Sequence, residues 1–419
     1  MNHFDKIIGY SDIKAELIRY CDVLKDLDRY KKLGVTLPRG ILLYGDPGIG
    51  KTMMANSFIK ESGCKSFLIR KDKPDGDFVN EIRNVFDKAM EESQSIVFLD
   101  DMDKFANEDQ VHRDAEEYVA VQSCIDDCKD TGVFVLATVN ERYSLPDSLI
   151  RAGRFDKLIE MKSPEGEDAR KIIEYYLSQK QVLGDIDIDE ISRLMEGHSC
   201  AELETVINEA GIYAGYDKRD KIEQSDILKA CMRMIFDAPE TLEANDCIYL
   251  KNIAVHEAGH AVVSEILEPG SVSLVSVCRY SGEKEGVTVI KKPDNYMISQ
   301  QAKEHEVIRK LGGKAATEMV YGLIDLGCNT DLHQAFDTVE RFVDNYCAYG
   351  FDAFEGRNSS GYLLEKKDRI ISQEMDKYYK KAKQIIADNR SFLDELTKEL
   401  VEKKTLTHKD IEVIRAKIV

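Results

Sequence analysis

A seven-residue stretch with two histidines and a glutamate is the part of the chain best suited to chemistry. It reads Val255-His256-Glu257-Ala258-Gly259-His260-Ala261. Side chains four residues apart share one face of a helix, so His256 and His260 can bind one Zn²⁺ together. Glu257 is turned about 100° from His256 and can reach a water molecule on that metal. This HExxH pattern predicts a hydrolytic zinc centre with Glu257 as its general base.

The element that must carry this centre is a helix predicted over residues 249–268. One apolar stripe along it repeats at intervals of three and four residues: Ile253, His256, His260, Val263 and Leu267. Because both histidines belong to the stripe, we expect the metal-binding face to be the buried face as well. Zinc in such a site needs a third protein ligand. Spacing alone leaves Asp331, Asp325, Glu318 and His333 as alternatives.

A glycine-rich loop forms the second chemical motif, Gly45-Asp46-Pro47-Gly48-Ile49-Gly50-Lys51-Thr52. It follows a short apolar run, residues 38–44, that predicts a buried strand. The pattern GxxxxGK[ST] between a strand and a helix lets backbone N–H groups surround phosphates. Lys51 would reach the β- and γ-phosphates, and Thr52 would ligate Mg²⁺. The loop therefore predicts an ATP site with Mg²⁺.

Polar residues at the ends of two further predicted strands are expected to lie at this ATP site. The apolar run Ser95–Leu99 ends in Asp100 and Asp101. Asp100 is expected to hold Mg²⁺, mostly through water, and Asp101 stands where ATPases usually carry a catalytic glutamate. The apolar run 132–138 ends near Asn140. Strands that alternate with helices predict a doubly wound α/β domain, with its ligand at the carboxyl ends of the strands.

Composition limits the class of protein. The 419 residues include 58 Lys and Arg against 77 Asp and Glu, a net charge of −19 that argues against a nucleic-acid-binding surface. The ten cysteines are scattered without a CxxC pair, which favours a reduced, cytoplasmic protein. Cys124 and Cys128 could both ligate a metal from one helix face, but two ordinary thiols are the favoured interpretation. No signal peptide or membrane-spanning run is predicted.

Changes in pattern divide the chain into four parts. We predict an α/β ATPase domain at 1–163, a helical lid at 164–237, a linker at 238–248 and a mostly helical zinc peptidase domain at 249–419. Within the last part, short strands are expected between residues 271 and 293. Residues 298–419 are expected to be mostly helical, and Thr407 is the predicted N-cap of the final helix.

These motifs together resemble the FtsH-like AAA proteases over nearly the whole chain. Five further stretches are similar to family segments: residues 4–10 to the entry segment beside the adenine, 149–156 to LRPGRFD, 197–203 to GFSGADL, 312–318 to GGRxAEE and 328–332 to SxASNDL. One departure within them is Cys200, which replaces a glycine. The resemblance implies that Asp331 is the third zinc ligand. Glu318 is then expected to support the ligands or to be structural rather than to bind the metal.

The resemblance also implies roles in the ATPase domain and an assembly. Asn140 corresponds to the sensor asparagine that positions the attacking water. Arg151 and Arg154 correspond to arginine fingers that reach the γ-phosphate of a neighbouring subunit. The active form should therefore be a ring, by resemblance a homo-hexamer or a mixed ring with membrane-anchored relatives. Its partners would be unfolded or loosely folded protein substrates.

The chain departs from the family in three further respects. The membrane helices that normally precede the ATPase domain are not present in the sequence given. The segment that should hold an aromatic pore loop, residues 70–79, is shorter and charged. Within it Phe78 and Val79 are the only candidates for gripping substrate, and a solvated charged loop is the alternative. Asp101 replaces glutamate, which withdraws the carboxylate by roughly 1.5 Å and should weaken water activation.

The leading hypothesis is thus an ATP-dependent zinc metalloendopeptidase that translocates protein substrates into a peptidase chamber. One alternative keeps the peptidase but gives it weak or impaired unfolding activity. Another is a regulatory or chaperone AAA subunit of a mixed ring, which would bind nucleotide without cutting. A nucleic-acid helicase would fit the phosphate loop alone but not the acidic charge or the zinc motif.

Overall fold

A computed structural model describes most of the chain. The described residues are 2–35, 38–71, 77–106, 115–129, 131–151, 153–241, 247–281, 284–291, 299–323, 327–351 and 360–418. They form two compact units. The first comprises Met1–Ile188 and Met195–Glu223, and the second comprises Asp189–Leu194 and Gln224–Val419. Helices of the predicted lid segment therefore occur in both units.

The described elements alternate between helices and strands in the first half of the chain and are mostly helical in the second. The strands are β1 (Gly40–Tyr44), β2 (Lys65–Ile69), β3 (Ser95–Leu99), β4 (Val133–Val139), β5 (Lys157–Glu160), β6 (Val272–Tyr280), β7 (Lys284–Ile290) and β8 (Thr405–Thr407). The helices are α1 (Ser11–Lys25), α2 (Leu27–Lys32), α3 (Lys51–Ser62), α4 (Phe78–Met90), α5 (Ala115–Asp127), α6 (Gly166–Ser178), α7 (Ile188–Leu194), α8 (Cys200–Tyr216), α9 (Gln224–Phe236), α10 (Cys247–Leu267), α11 (Gln300–Lys310), α12 (Gly312–Tyr321), α13 (Asn329–Asp344), α14 (Gly361–Asp388), α15 (Arg390–Lys403) and α16 (His408–Ile418).

The first unit is built on a five-stranded parallel sheet in the order β2-β3-β4-β1-β5. Successive residues of a strand point to opposite faces, so the central strands feed two separate cores. Leu42 and Val97 pack with α4 and α5 residues such as Phe86. Ile41 and Phe98 pack with Phe58 of α3 on the other face. The predicted doubly wound α/β domain is confirmed.

The two outer strands, β2 and β5, had no clear signal in the sequence. Each is short and partly exposed, with mixed polar and apolar residues. The central strands β3 and β4 are buried along their whole length and read as continuous apolar runs. Parallel strands that are covered on both faces give that strong pattern, whereas strands at the edge of a sheet do not.

The second unit is organised around α10, which carries the HExxH stretch. This helix is buried on nearly every side; Ala254, Ala258 and Ala261 are completely inaccessible. Its histidine face is the less buried one, because Ile253, His256 and His260 are only partly covered. The expectation that the metal-binding face is also the buried face holds fully at Val263 and only partly at the other positions of the stripe. The apolar residues around the rest of α10 provide the core, which leaves the histidines open to a cavity.

A three-stranded antiparallel sheet, β7-β6-β8, packs beside α10. The hairpin β6–β7 matches the predicted strands, whereas the three-residue strand β8 was not predicted. At the end of β8, the backbone N–H and the hydroxyl of Thr407 both donate to an oxygen of Asp410 at 3.0 Å. This contact agrees with the predicted N-cap of the last helix, α16. The mostly helical character of the second half of the chain is confirmed.

Cys124 and Cys128 are buried in and after α5, and burial raises their pKa values to about 11 and about 12. Such thiols are protonated at neutral pH, so they behave as ordinary core residues. Over the described parts of the chain, we find no helix with both the length and the apolar character needed to cross a lipid bilayer.

Candidate metal centre and nucleotide site

The predicted metal ligands converge in the second unit. His256 and His260 lie on α10, and Asp331 lies in the first turn of α13. The two Nε2 atoms are 3.0 Å apart, and Oδ2 of Asp331 is 3.3 Å and 3.2 Å from them. Bonds of 2.0–2.1 Å in a tetrahedron place ligand atoms roughly 3.3 Å apart, so the three atoms fit Zn²⁺. Among the described residues, this is the only such group of His, Cys, Asp or Glu side chains.

Contacts around the triad hold its donor atoms in place. The Nδ1 atom of His260 is 2.8 Å from the carbonyl oxygen of Arg309, which leaves Nε2 as the metal-binding atom. Burial alone would raise the pKa of Asp331, but bonds from His256 and His260 hold this pKa well below its ordinary value. Asp331 is therefore the carboxylate form that a metal requires.

The alternative ligands do not lie in this group. Glu318 accepts bonds from Tyr379 and from Lys383 and not from the triad, as expected for a residue that does not bind the metal. His333 is exposed on α13. Asp325 lies outside the described residues. Spacing could not choose among these residues, because the choice depends on how α13 packs against α10.

Glu257 is buried beside the triad, and its carboxylate is held by a neighbour that the sequence did not reveal. The hydroxyl of Thr288, on β7, lies 2.7 Å from Oε2 of Glu257 and donates to it. Burial raises the pKa of Glu257, against the opposing effects of the two histidines and Thr288. A raised pKa brings a carboxylate closer to neutral pH, where it exchanges protons with water more effectively.

Gly313, in the first turn of α12, makes the close approach of this helix to the histidines possible. A Cβ atom there would lie 2.6 Å from Nε2 of both His256 and His260. The backbones of α10 and α12 approach as closely at Gly259 and Gly312. A Cβ on Gly259 would lie 2.5 Å from the Gly312 carbonyl oxygen. Two consecutive glycines within a predicted helix could have signalled this contact, because glycine is costly there without a packing reason.

The phosphate loop has the predicted geometry in the first unit. Gly45, Gly48 and Gly50 have φ values of 143°, 79° and 94°, which only glycine adopts readily. Helix α3 begins at Lys51, as the motif requires. The ammonium of Lys51 donates to the carbonyls of Gly45 and Asp46 at 2.7 Å and 2.8 Å. These bonds hold Lys51 over the loop, at the place where phosphates would bind.

The acidic strand end lies directly beside the loop. Asp100 is buried and accepts bonds from the hydroxyls of Thr52 at 2.9 Å and Thr138 at 2.8 Å. Thr52 and Asp100 are thus adjacent, as a shared Mg²⁺ site requires. Asn140 contacts Lys51 through its side-chain oxygen at 2.9 Å. The contact of Thr138 with Asp100 was not predicted, because Thr138 reads simply as part of an apolar strand.

Asp101 adopts a left-handed backbone conformation with φ 52°. Aspartate tolerates this conformation better than most residues with longer side chains. Its Oδ2 atom is 2.6 Å from the ammonium of Lys104. The carboxylate at the position of the usual catalytic glutamate is therefore already engaged in an ion pair.

The comparison with known families covers both units. Residues 41–163 match the ATPase family associated with various cellular activities (AAA), residues 185–229 match the AAA+ lid domain and residues 249–414 match peptidase family M41. The ATP-dependent zinc metalloprotease FtsH 1 of Methylacidiphilum infernorum is 30% identical over 445 residues, which cover 98% of this chain and 69% of the relative. The chain belongs to the FtsH family.

Other FtsH relatives align over the same extent. The ATP-dependent zinc metalloprotease FtsH of Thermotoga maritima is 29% identical, with 96% of this chain and 71% of the relative covered. The protein of the same name from Helicobacter felis is 27% identical, with 98% and 69% covered. The resemblance predicted from the motifs is confirmed.

The two arginines expected to act as FtsH-type fingers differ in their surroundings. Arg151 is exposed. Arg154 is only 3% exposed, and its guanidinium donates to both carboxylate oxygens of Asp126, at 2.9 Å and 2.6 Å. In this conformation Arg151 points to solvent and Arg154 does not. A role for Arg154 at a neighbouring γ-phosphate would require the ion pair with Asp126 to open.

Phe78, one of the two candidates for a residue that grips substrate, is buried in the first unit. It is 5% exposed and packs edge-to-face against Phe105, with ring centroids 5.2 Å apart. This burial does not suit a gripping role, because the aromatic ring belongs to the core under α4. Residues 72–76 of the charged segment lie outside the described residues.

A cavity of ≈ 530 Å³ adjoins the phosphate loop. Its lining includes Tyr10, Ile172, Tyr176 and Cys200. The Cys200 sulfur, where FtsH proteins have glycine, lies 3.9 Å from the Tyr10 hydroxyl, and burial raises the pKa of this thiol. These side chains supply the apolar surface that a nucleotide base needs next to its phosphate site.

Proposed function

We propose that this chain is an ATP-dependent zinc metalloendopeptidase, which hydrolyses ATP to move protein substrates into a peptidase chamber. The observation that carries the proposal is the convergence of His256, His260 and Asp331 beside the buried Glu257. The same chain holds a complete phosphate loop, and both halves match the FtsH family. The implied cofactors are Zn²⁺, ATP and Mg²⁺.

The residues of the zinc site divide the chemical work. Zn²⁺, when bound, would lower the pKa of a water molecule and polarise the scissile carbonyl. Glu257 accepts the proton of that water and later donates it to the leaving amine. Because Thr288 occupies Oε2 of Glu257, the proton is exchanged at Oε1. Asp331 and the two histidines would hold the metal.

The assembly and the domain limits are part of the proposal. A ring places Arg151 of one subunit near the nucleotide of the next, and a homo-hexamer or a mixed ring with membrane-anchored relatives follows from the FtsH resemblance. We place the ATPase domain at 1–163, the lid at 164–237, the linker at 238–248 and the peptidase domain at 249–419. The cytoplasmic location stays a prediction from the composition.

A metal measurement and a peptide assay together test the function. We expect close to one zinc ion per chain and cleavage of an unstructured, casein-type peptide. A regulatory or chaperone subunit would bind nucleotide but would hold no zinc and cut no peptide. That result would replace the proposed peptidase with a binding role.

A Thr288→Val variant should cleave peptides about tenfold more slowly, with KM unchanged. Valine has the shape of threonine but cannot donate to Glu257, so the base loses its orientation while the packing of β7 is kept. Thr288→Ser retains the hydroxyl and should recover most of the rate. Steady-state cleavage of a fluorogenic peptide measures both constants. Equal rates for the valine and serine variants would show that the hydroxyl does not act on Glu257.

The ion pair between Asp101 and Lys104 favours the second candidate, a peptidase with slow ATP hydrolysis and weak unfolding. An Asp101→Glu variant should hydrolyse ATP several-fold faster, on the order of threefold, because the longer side chain reaches further toward the attacking water. The measurement is the ATPase rate at saturating ATP, with ATP affinity as the control. An unchanged or lower rate would mean that the aspartate is already well placed in its left-handed backbone conformation.

A further inference from the structure

Charged side chains line the cavity beside the metal-binding triad, and they differ in how closely each is paired with an opposite charge. It measures ≈ 830 Å³ and lies between β7 on one side and α11 and α13 on the other. Among its described lining residues, Glu285 pairs with Arg279 at 2.6 Å, and Glu306 pairs with Lys303 at 2.7 Å. Arg309 pairs with Glu268 at 2.9 Å. Each of these charges is therefore compensated within hydrogen-bond distance.

Lys310, at the end of α11, is the exception among these described charges. Its ammonium lies 3.9 Å from Oδ1 of Asp331, which is too far for a hydrogen bond, and its side chain is 38% exposed. The other oxygen of Asp331 faces the two histidines. Asp331 is the ion-pair partner of Lys310 in this structure, and metal binding would use its negative charge. Among the described residues, Lys310 would then have no other acidic group within ion-pair distance.

We propose that Lys310 forms a subsite for a substrate carboxylate next to the scissile bond. The peptidase would then select peptide chains that carry an aspartate or glutamate side chain at that place. The ammonium lies beside the ligand set, so an acidic side chain close to the cleaved bond can reach it. This inference rests on the proposed peptidase function and names its substrate class.

The test uses three fluorogenic peptides that differ at one residue beside the cleaved bond, with Glu, Gln or Lys, and mass spectrometry to locate the cut. The wild type should cleave the Glu peptide about threefold to fivefold more efficiently than the Gln peptide, mostly through KM, as expected for a partly exposed ion pair. Lys310→Gln should remove the preference, and Lys310→Glu should reverse it in favour of the Lys peptide. Lys314→Gln is the control, because Lys314 pairs with Glu318.

Fluorescence anisotropy measures how tightly the same peptides bind to the zinc-loaded Glu257→Gln variant. This measurement tests the Lys310 subsite separately from the peptidase function. Tighter binding of the Glu peptide without any cleavage by the wild type would support the subsite and overturn the peptidase function. Cleavage and binding that do not distinguish the three peptides would overturn the subsite and leave the peptidase intact. If Lys310→Glu still prefers the Glu peptide, the subsite is also overturned.

Discussion

A Glu257→Gln variant should lose peptide cleavage by about a thousandfold or more while it still binds zinc. The amide has the same shape, so Thr288 and the histidines keep their positions, but it cannot accept a proton from water. General base catalysis typically contributes 10²–10⁴-fold to a rate, and here the same group also serves the leaving amine. The measurement combines fluorogenic peptide cleavage with zinc content per chain.

Glu318→Gln is the matched control for this variant. Glu318 belongs to the same unit but bonds to Tyr379 and Lys383 rather than to the triad. We expect its replacement to leave zinc content unchanged and to reduce cleavage at most slightly. Full cleavage by Glu257→Gln would exclude Glu257 as the base. Loss of zinc from that variant would show instead that Glu257 helps to build the metal site.

A Gly313→Ala variant should lower zinc affinity by about a hundredfold, at the upper end of the effects seen for residues that support metal ligands. The new methyl group would lie 2.6 Å from both histidine Nε2 atoms. Either the imidazole rings turn away from the metal position or α12 moves off α10, which also opens the tight contact at Gly259. Competition with a zinc chelator measures the affinity, and peptide cleavage should fall in parallel.

Gly215→Ala is the control, because it makes the same substitution in another helix and shows its effect on stability where no close contact is present. Gly215 lies within α8, and a Cβ there would meet nothing within 4 Å. Alanine is favoured over glycine in a helix by roughly 1 kcal/mol, so this variant should be at least as stable as the wild type. If Gly313→Ala binds zinc as tightly as the wild type, the histidines do not depend on the close approach of α12.

The sequence identified the parts of both sites that depend on short-range spacing. His256, Glu257 and His260 lie within one turn and a half of helix, and Lys51 and Thr52 directly follow their glycines. Helical and loop geometry alone place such neighbours, so the prediction and the structure agree. The buried strand Ser95–Leu99 was also clear, because a strand covered on both faces reads as an unbroken apolar run.

Features that depend on long-range packing could not be predicted in this way. Asp331 lies 71 residues beyond His260, and only the family resemblance singled it out. Thr288 and Lys310 look like ordinary surface or strand residues until β7 and α11 are placed around α10. Phe78 was considered for gripping substrate and Arg154 for contacting a phosphate, because an aromatic ring and a guanidinium suit these roles. Both side chains are buried by elements distant in sequence.

The coupling of ATP hydrolysis to proteolysis is tested most directly by degradation of a protein substrate with and without ATP. Zinc-loaded protein should degrade an unfolded substrate several-fold faster with ATP, and a stably folded one only with ATP and more slowly. Lys51→Ala should lose the ATP-dependent part of the rate while it retains zinc and cleaves short peptides. Degradation of the unfolded substrate at the same rate with and without ATP, by a wild type that hydrolyses ATP, would contradict an ATP-driven protease.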